Sequence, residues 1–469
     1  MNMQRQMNIL LIDDKSDIVE NWAIKLSKEI GDDYKVILIS DRLKEKSVNN
    51  FKIVNINNIE LKYSIEELQN KYNFSIYKLL VTDRAITNYT DFSKIQMYSR
   101  YNEKFLNIEL QKWLNAYDSL ISQHIDIVLS GLADNFKFNM AWKIAEFYDK
   151  KFYIPYVLYW WKNGLLIADR YNQTSSIIDE NYVKFYNFEM NKKEKERLKH
   201  IFNTKKASFD FIDNKIYPLK KRLKIIMNRK NSYESLSITN WILRKLYFYY
   251  SKVIKLIYIN KKYFNLKETK SRENFILYPL HVVPEASILG SDPELADQFC
   301  LIKNISMNLS YGIKLYIKEH PAQIYGYNMN HTFYNKLLSL PNVKIIKANE
   351  NVYDIISDKN CLAVAVLNGT LGLETVYKFH KPVFVFGNAD YKIADCFIKP
   401  KDWDDFFSWI QKIQQGKWKF NEQAMWAILK AFDEGVVKVE DIDVNKYTSW
   451  EEWAMETKII VKFLKDINK

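Results

Sequence analysis

Three stretches between residues 274 and 387 constrain this chain more than anything else in it: FILYPLHVVPEAS, KLYIKEHP, and CLAVAVLNGTLGLE followed by KPVFVFG. Each is a short apolar, β-branched run that stops at a cluster of polar, Gly or Pro residues, as a buried parallel strand does where it meets its loop. In an open α/β sheet the ligand sits where the carboxyl ends of the strands deliver such loops. Their recurrence in so short a span predicts one nucleotide-sized site.

The chain around them is long enough for two to three domains at about 150 residues each; it has 469 residues, 48% of them hydrophobic and 15% aromatic, which excludes a disordered protein. MNILLID (7–13) predicts a first buried strand, and 16–30 a helix with Ser16 as its N-cap. Strands are expected at 34–40, 51–56 and 76–82, then a long amphipathic helix over 98–123. IDIVLS (125–130) reads as a strand ending in GLADN, followed by the helix FKFNMAWKIAEFYDK and a strand over 152–160. That alternation predicts a parallel sheet covered on both faces, one Rossmann-like domain over 1–214. The LLIDD run is similar to the acidic pocket of response-regulator receivers, but the lone Asp and the Lys that end later receiver strands are missing at the right distances. Asp13 and Asp14 close a first strand, either as groups facing a ligand or as acids favoured at a helix start.

Between 215 and 272 the character changes. Sixteen Lys or Arg face two acids there, a net +14 in a chain whose total is +13, so the remainder nets about −1. Within it, WILRKLYFYYSKVIKLIYINKKYF interleaves aromatic and aliphatic residues with Lys and Arg. The pattern suits an amphipathic helix on an anionic membrane surface, and equally an interdomain helix with solvated lysines. Nucleic-acid binding is not expected, because no recognised module surrounds the charges.

A second Rossmann-like domain is expected over 273–400. Pro279 and Pro284 bracket the first loop and present His281 and Glu285 past a strand end. SDPELADQFCLIKNISMNLS predicts a helix with a Ser or Asp cap and Pro293 at its first position. The next strand delivers Lys318, Glu319 and His320, with Pro321 ending it; lysine and histidine there can donate to phosphate oxygens, or be merely solvated. The third loop reads as strand, Asn368-Gly369-Thr370 turn, helix, strand. Its helix start makes an anion site, with Gly369 allowing close approach, Gly372 close packing, and Glu374 one turn on to accept from ribose hydroxyls.

The order PLHxxPEAS, KEHP, NGTxGLE and a strand after KP resembles the carboxyl-terminal half of bacterial capsule and surface-polysaccharide glycosyltransferases. These include enzymes using CMP-activated keto-sugars such as Kdo, and relatives that transfer sialic or pseudaminic acid. The resemblance implies a GT-B fold, two Rossmann-like domains facing a cleft, and a CMP-sugar donor without further cofactor. His320 and Pro321, with Lys318, would lie near the cytidine monophosphate, Asn368 to Thr370 near its phosphate, and Glu374 on the ribose. His281 and Glu285 would face the sugar. Relatives often carry a histidine in the first domain's acidic loop; this chain has Gly131, Leu132, Ala133, Asp134 and Asn135 there. Asp134, then Asp14, are therefore the candidates for the base that an inverting transfer needs. No DxD pair stands in a metal-binding context, so no metal is expected. The residues leave open a polyol-phosphate transferase of teichoic-acid type, a UDP-sugar epimerase-like enzyme, and a non-catalytic GT-B-like scaffold.

Residues 401–469 read as tryptophan-rich helices that pack back across the domains. Three widely spaced cysteines and no CxxC predict neither disulfides nor a zinc site. The first apolar run is too short for a signal peptide, and no uncharged window approaches the roughly 18 residues of a spanning helix. A cytoplasmic protein, peripheral at the inner face of the cytoplasmic membrane, is expected.

Overall fold

The computed structural model describes residues 5–13, 17–83, 103–131, 135–158, 164–172, 174–203, 243, 246, 249–250, 253–263, 273–281, 286–321, 331–438 and 456–467. Among the described residues the first sheet has eight strands, the last of them from the carboxyl-terminal tail; the first seven are β1 (Met7–Ile12), β2 (Tyr34–Ser40), β3 (Lys46–Val48), β4 (Phe51–Asn55), β5 (Ile127–Leu129), β6 (Lys151–Val157) and β7 (Gly164–Ala168). β1 pairs in parallel with β2 and β5, β2 with β4, and β5 with β6. Two hairpins, β3 on β4 and β7 on β6, are antiparallel, so the sheet is mixed. The apolar run of β1 serves both faces: Leu10 and Ile12 enter one core, Ile9 and Leu11 the other, as period-2 alternation in a doubly covered strand requires.

The second sheet is wholly parallel, built from β8 (Phe275–Pro279), β9 (Lys314–Lys318), β10 (Val343–Ile346), β11 (Cys361–Val366) and β12 (Val383–Val385), in the order β10-β9-β8-β11-β12. Phe275, Leu277, Val364 and Val366 face one core, and Ile276, Tyr278, Ala363 and Ala365 the other. The chain thus carries two Rossmann-like α/β units, the GT-B layout expected from the loop motifs.

The tail joins them. Phe406 and Ile410 of the helix Trp403–Gln414 pack in the second unit. The helix Glu422–Gly435 lies against the helix Ser176–Tyr186, and its Met425, Ile428 and Phe432 share a core with Ile178 and Tyr182 of the first unit and Val364 of the second. β13 (Val437–Lys438) then adds antiparallel to β7. The helix Thr457–Asp466 buries Ile459, Ile460 and Leu464 against Val19, Ala23 and Leu26, and Tyr34 donates to the Leu464 carbonyl at 3.0 Å.

Two sequence expectations fail for identifiable reasons. Residues 76–82 form no strand: Ile76–Leu80 is a short helix, its amide at Lys78 capped by Ser75, with Ile76, Leu79 and Leu80 buried at helical spacing and Tyr77 exposed. Pro293 opens only a single 3₁₀ turn, Pro293–Leu295. Asp292 does not cap it, because its carboxylate accepts from Asn388, and the long helix Gln298–Met307 is capped by Asp297 instead.

Candidate active site at the switch point of the second sheet

In the second sheet the chain runs from β8 outward through β9 to β10, then returns to the other side of β8 for β11 and β12. The carboxyl ends of β8 and β11 therefore bracket a topological switch point, where adjacent loops depart in opposite directions and leave a crevice for ligand. The first and third loop motifs emerge there. A Cβ on Gly369 would lie 3.1 Å from His281 Cε1 and 3.4 Å from its Nε2. A methyl group at that point would press on the imidazole, because the ring of one loop lies on the backbone of the next. The close approach expected at Gly369 is thus made by a side chain of the protein itself.

His281 is held from behind: its amide donates to Gln298 Oε1 at 2.9 Å, and Gln298 Nε2 donates to its carbonyl at 3.0 Å. Gln298 is buried, so this pair fixes the loop backbone while the ring remains half-buried at the crevice. The Asn368-Gly369-Thr370 turn is held as firmly. Asn368 Nδ2 donates to Ser291 Oγ at 2.8 Å and to Asp292 Oδ2 at 3.3 Å. Tyr391 donates to the Gly369 carbonyl at 2.6 Å. Gly372 packs under it, where a Cβ would meet the Tyr391 hydroxyl at 2.5 Å and Val366 Cγ2 at 3.1 Å.

Asp292 is the hub that the sequence did not reveal. Buried, it accepts from the Asn388 amide at 2.9 Å, from Asn388 Nδ2 at 3.0 Å and from Ser291 Oγ at 2.8 Å. Burial raises its carboxyl above the usual range, and the bonds from Asn388 and Ser291 oppose the rise. It ties the loop after β12 to the loop after β11. The sequence signal was present in Gly387, where a Cβ would sit 2.7 Å from Asp292 Oδ2.

The helix Leu371–Phe379 starts at Thr370, which makes no side-chain cap; the Gly372 amide donates to the Gly369 carbonyl and the Glu374 amide to the Thr370 carbonyl, both at 3.1 Å. Glu374 is buried one turn in. Tyr353 donates to one of its oxygens and Thr370 Oγ1 to the other at 3.3 Å; Lys378 lies 3.9 Å away.

The KEHP loop sits beside β8, with the Leu280 amide donating to the Lys318 carbonyl at 2.8 Å. Lys318 is buried and its ammonium donates to the carbonyls of Glu319 and Ala348, both at 2.8 Å; burial pushes it down to about 8. It braces the loop from within, whereas the sequence suggested a donor to phosphate. His320 is half-buried and Pro321 exposed at the loop tip. Glu319 turns inward to Lys255 of the basic segment at 2.7 Å and to the hydroxyl of Tyr334. One described part of that segment thereby docks directly behind the loop.

In the first sheet β1 and β5 are neighbours at the corresponding switch point. Asp13 is fully buried there, accepting from Ser40 Oγ at 2.6 Å and Arg42 Nε at 2.9 Å, which makes it structural. Lys137, also buried, pairs with Asp41 at 3.0 Å and lies over the Trp113 ring. Asp14, Asp134 and Glu285 lie outside the described residues, although the strands preceding Asp14 and Asp134 flank this switch point. Among the described residues no group of His, Cys, Asp or Glu is arranged to hold a metal, and no helix is long and apolar enough to cross a membrane.

Residues 193–395 match the family described as "Capsule polysaccharide biosynthesis protein". No curated protein matches the chain. Among solved structures, the chain is similar to the beta Kdo 2,4 transferase KpsC of Thermosulfurimonas dismutans, at 12% identity over 66% of this chain and 80% of that one, with a TM-score of 0.34. It is also similar to UDP-GlcNAc 2-epimerase of Neisseria meningitidis (12% identity, 92% and 99% coverage, TM-score 0.24) and to Alr3699/HepE of Anabaena (10%, 98% and 100%, 0.27). These likenesses are loose, and the fold rests on the two sheets themselves. The matched segment contains all three loop motifs and bears out the resemblance to capsule polysaccharide biosynthesis proteins that those motifs carry.

Proposed function

We propose that this enzyme transfers a keto-sugar of the Kdo or sialic/pseudaminic type from a CMP-activated donor to a glycan or glycolipid acceptor, at the inner face of the cytoplasmic membrane. The observation that supports this most is the convergence at the second switch point. His281 lies on Gly369 beside a helix start, Glu374 lies one turn on, and the KEHP loop projects from the neighbouring strand. One helix start suits a single phosphate.

Departure of CMP from a keto-sugar builds an oxocarbenium-like centre and leaves charge on the phosphate. The opening amides of Leu371–Phe379 and the imidazoles of His281 and His320 answer that charge, with no metal in the scheme. Asn368, Gly369 and Thr370 surround the phosphate, Pro321 borders the base, and Lys318 supports the loop. Asp134 takes the acceptor hydroxyl's proton, with Asp14 across the switch point as the second candidate and Glu285 beside the sugar. The partners are the donor, the acceptor and an anionic membrane, not nucleic acid.

The test is CMP release from CMP-Kdo and CMP-N-acetylneuraminic acid, with and without chelator, by the native protein and by Asp134→Asn and Asp14→Asn. Chelator-resistant release that falls at least a hundredfold in one variant supports the scheme. Turnover of UDP-GlcNAc alone, without acceptor, would replace it with an epimerase.

A further inference from the structure

The loop that follows β12 is bonded to both units at once. Asn388 and Tyr391 serve the second unit: the Asn388 amide donates to Asp292 at 2.9 Å, and the Tyr391 hydroxyl donates to the Gly369 carbonyl at 2.6 Å. Asp390, between them, is bonded to the first unit. One of its oxygens accepts from the Ser175 amide at 2.8 Å, and the other accepts from the Tyr156 hydroxyl. Asp390–Ile393 is a 3₁₀ turn, in which neighbouring side chains diverge by about 120°, so one short turn serves both units. The far end of the loop is tied to the first unit as well, with the Asp395 amide donating to the Tyr182 hydroxyl at 3.0 Å.

The first-unit partners of Asp390 are themselves fixed. Tyr156 comes from β6, and Ser175 is the residue before the helix Ser176–Tyr186. The Ser175 hydroxyl donates to the Ile167 carbonyl at 2.6 Å and caps nothing, so the Asp390 carboxylate takes the amide at that helix start. Close by, Ile178 and Tyr182 of the first unit share one apolar core with Ala389 and Tyr391 of the second. A carboxylate beside such a core is costly unless its oxygens are bonded. Apolar packing alone is non-directional, whereas two hydrogen bonds to one carboxylate fix a single register between the units.

We propose that Asp390 is a positioning residue through which the first unit sets the shape of the Asn368-Gly369-Thr370 turn, resting on the reading of that turn as the phosphate side of the donor site. The route is short. Tyr156 and Ser175 hold Asp390; the adjacent Tyr391 holds the Gly369 carbonyl, and Asn388 holds Asp292, which accepts from Asn368 at 3.3 Å. The donor turn therefore takes its shape only with the first unit in register.

The experiment is hydrogen–deuterium exchange of the full chain, read by mass spectrometry over residues 367–373, which include the Gly372 amide bonded to the Gly369 carbonyl at 3.1 Å. Native protein is compared with Tyr156→Phe, Asp390→Ala and Asp390→Asn, and with Tyr34→Phe, which removes a first-unit hydroxyl bonded to the Leu464 carbonyl instead. The expected result is exchange at least tenfold faster over 367–373 in Tyr156→Phe and Asp390→Ala, with β9 unchanged in the same samples. Asp390→Asn, whose amide can accept from Ser175 and donate to Tyr156, should stay near the native rate, as should Tyr34→Phe. Native rates in Tyr156→Phe and Asp390→Ala, an equal rise in β9 or in Tyr34→Phe, or Asp390→Asn as fast as Asp390→Ala would each overturn the proposal. Calorimetric titration with CMP on the same samples keeps the two readings apart: a native protein that binds no CMP refutes the donor site, while the exchange comparison still decides the coupling.

Discussion

Gly372→Ala probes the packing that holds the phosphate-facing turn. A methyl group there would stand 2.5 Å from the Tyr391 hydroxyl, 3.1 Å from Tyr391 Cζ and 3.1 Å from Val366 Cγ2. None of these can yield freely, since Tyr391 is buried and its hydroxyl holds the Gly369 carbonyl. Overpacking costs about 1–3 kcal/mol, and the strained or broken hydrogen bond about 1 kcal/mol more. The helix propensity of alanine returns up to about 1 kcal/mol. A net loss of about 1–4 kcal/mol follows, read as a lower urea midpoint with an unchanged slope. Tyr391→Phe alone should cost about 1 kcal/mol for the lost bond. The double variant removes the oxygen that the methyl meets first, so its loss should fall short of the sum of the singles by about 1 kcal/mol or more. A neutral Gly372→Ala, or a double variant at the sum of the two singles, would refute the geometry.

Lys255→Met leaves Glu319 buried without its cation and should cost about 3–5 kcal/mol, while Lys255→Met/Glu319→Gln should recover much of that; additive losses in chemical denaturation would mean that the pair is not coupled. Asp390, which accepts from the Ser175 amide at 2.8 Å and from Tyr156, has its carboxyl raised by burial to about 6. The folded chain then keeps a proton that the unfolded chain releases near pH 4, so this group's contribution to stability falls as pH rises from about 4 to 6. The fall is at most about 3 kcal/mol, and it should vanish in Asp390→Asn when the two stability-pH curves are subtracted; parallel curves would contradict it. Asp292→Ala should weaken nucleotide binding at least tenfold without contacting ligand, because Asn368 and Asn388 lose their shared acceptor; unchanged affinity would show that the turn holds its shape alone.

The strand-loop punctuation carried the second unit almost entirely, because a parallel strand buried on both faces is a continuous apolar run and its loop begins where the run breaks. The three motifs emerge from neighbouring strands, with His281 against Gly369, since β8 lies between β9 and β11. What the sequence hid were pairings across distance. Asp292 read as a helix cap because Pro293 follows it, and only the fold brings Asn388 to its carboxylate. Lys318 read as a phosphate donor because its strand ends there, yet the Ala348 carbonyl from the next crossover claims its ammonium. Residues 76–82 read as a strand because four apolar residues also fit one, until Ser75 capped a helix. Lys255 was one basic residue among sixteen, and nothing local marks it as one that turns inward to Glu319.

The central claim is tested most directly by calorimetric titration of the protein with CMP, CDP, UMP, UDP and GDP, repeated on His320→Ala and Glu374→Ala. The account predicts selective CMP binding, weakened at least tenfold in each variant, about 1.4 kcal/mol. Preference for UDP or GDP, or CMP affinity indifferent to both substitutions, would contradict it.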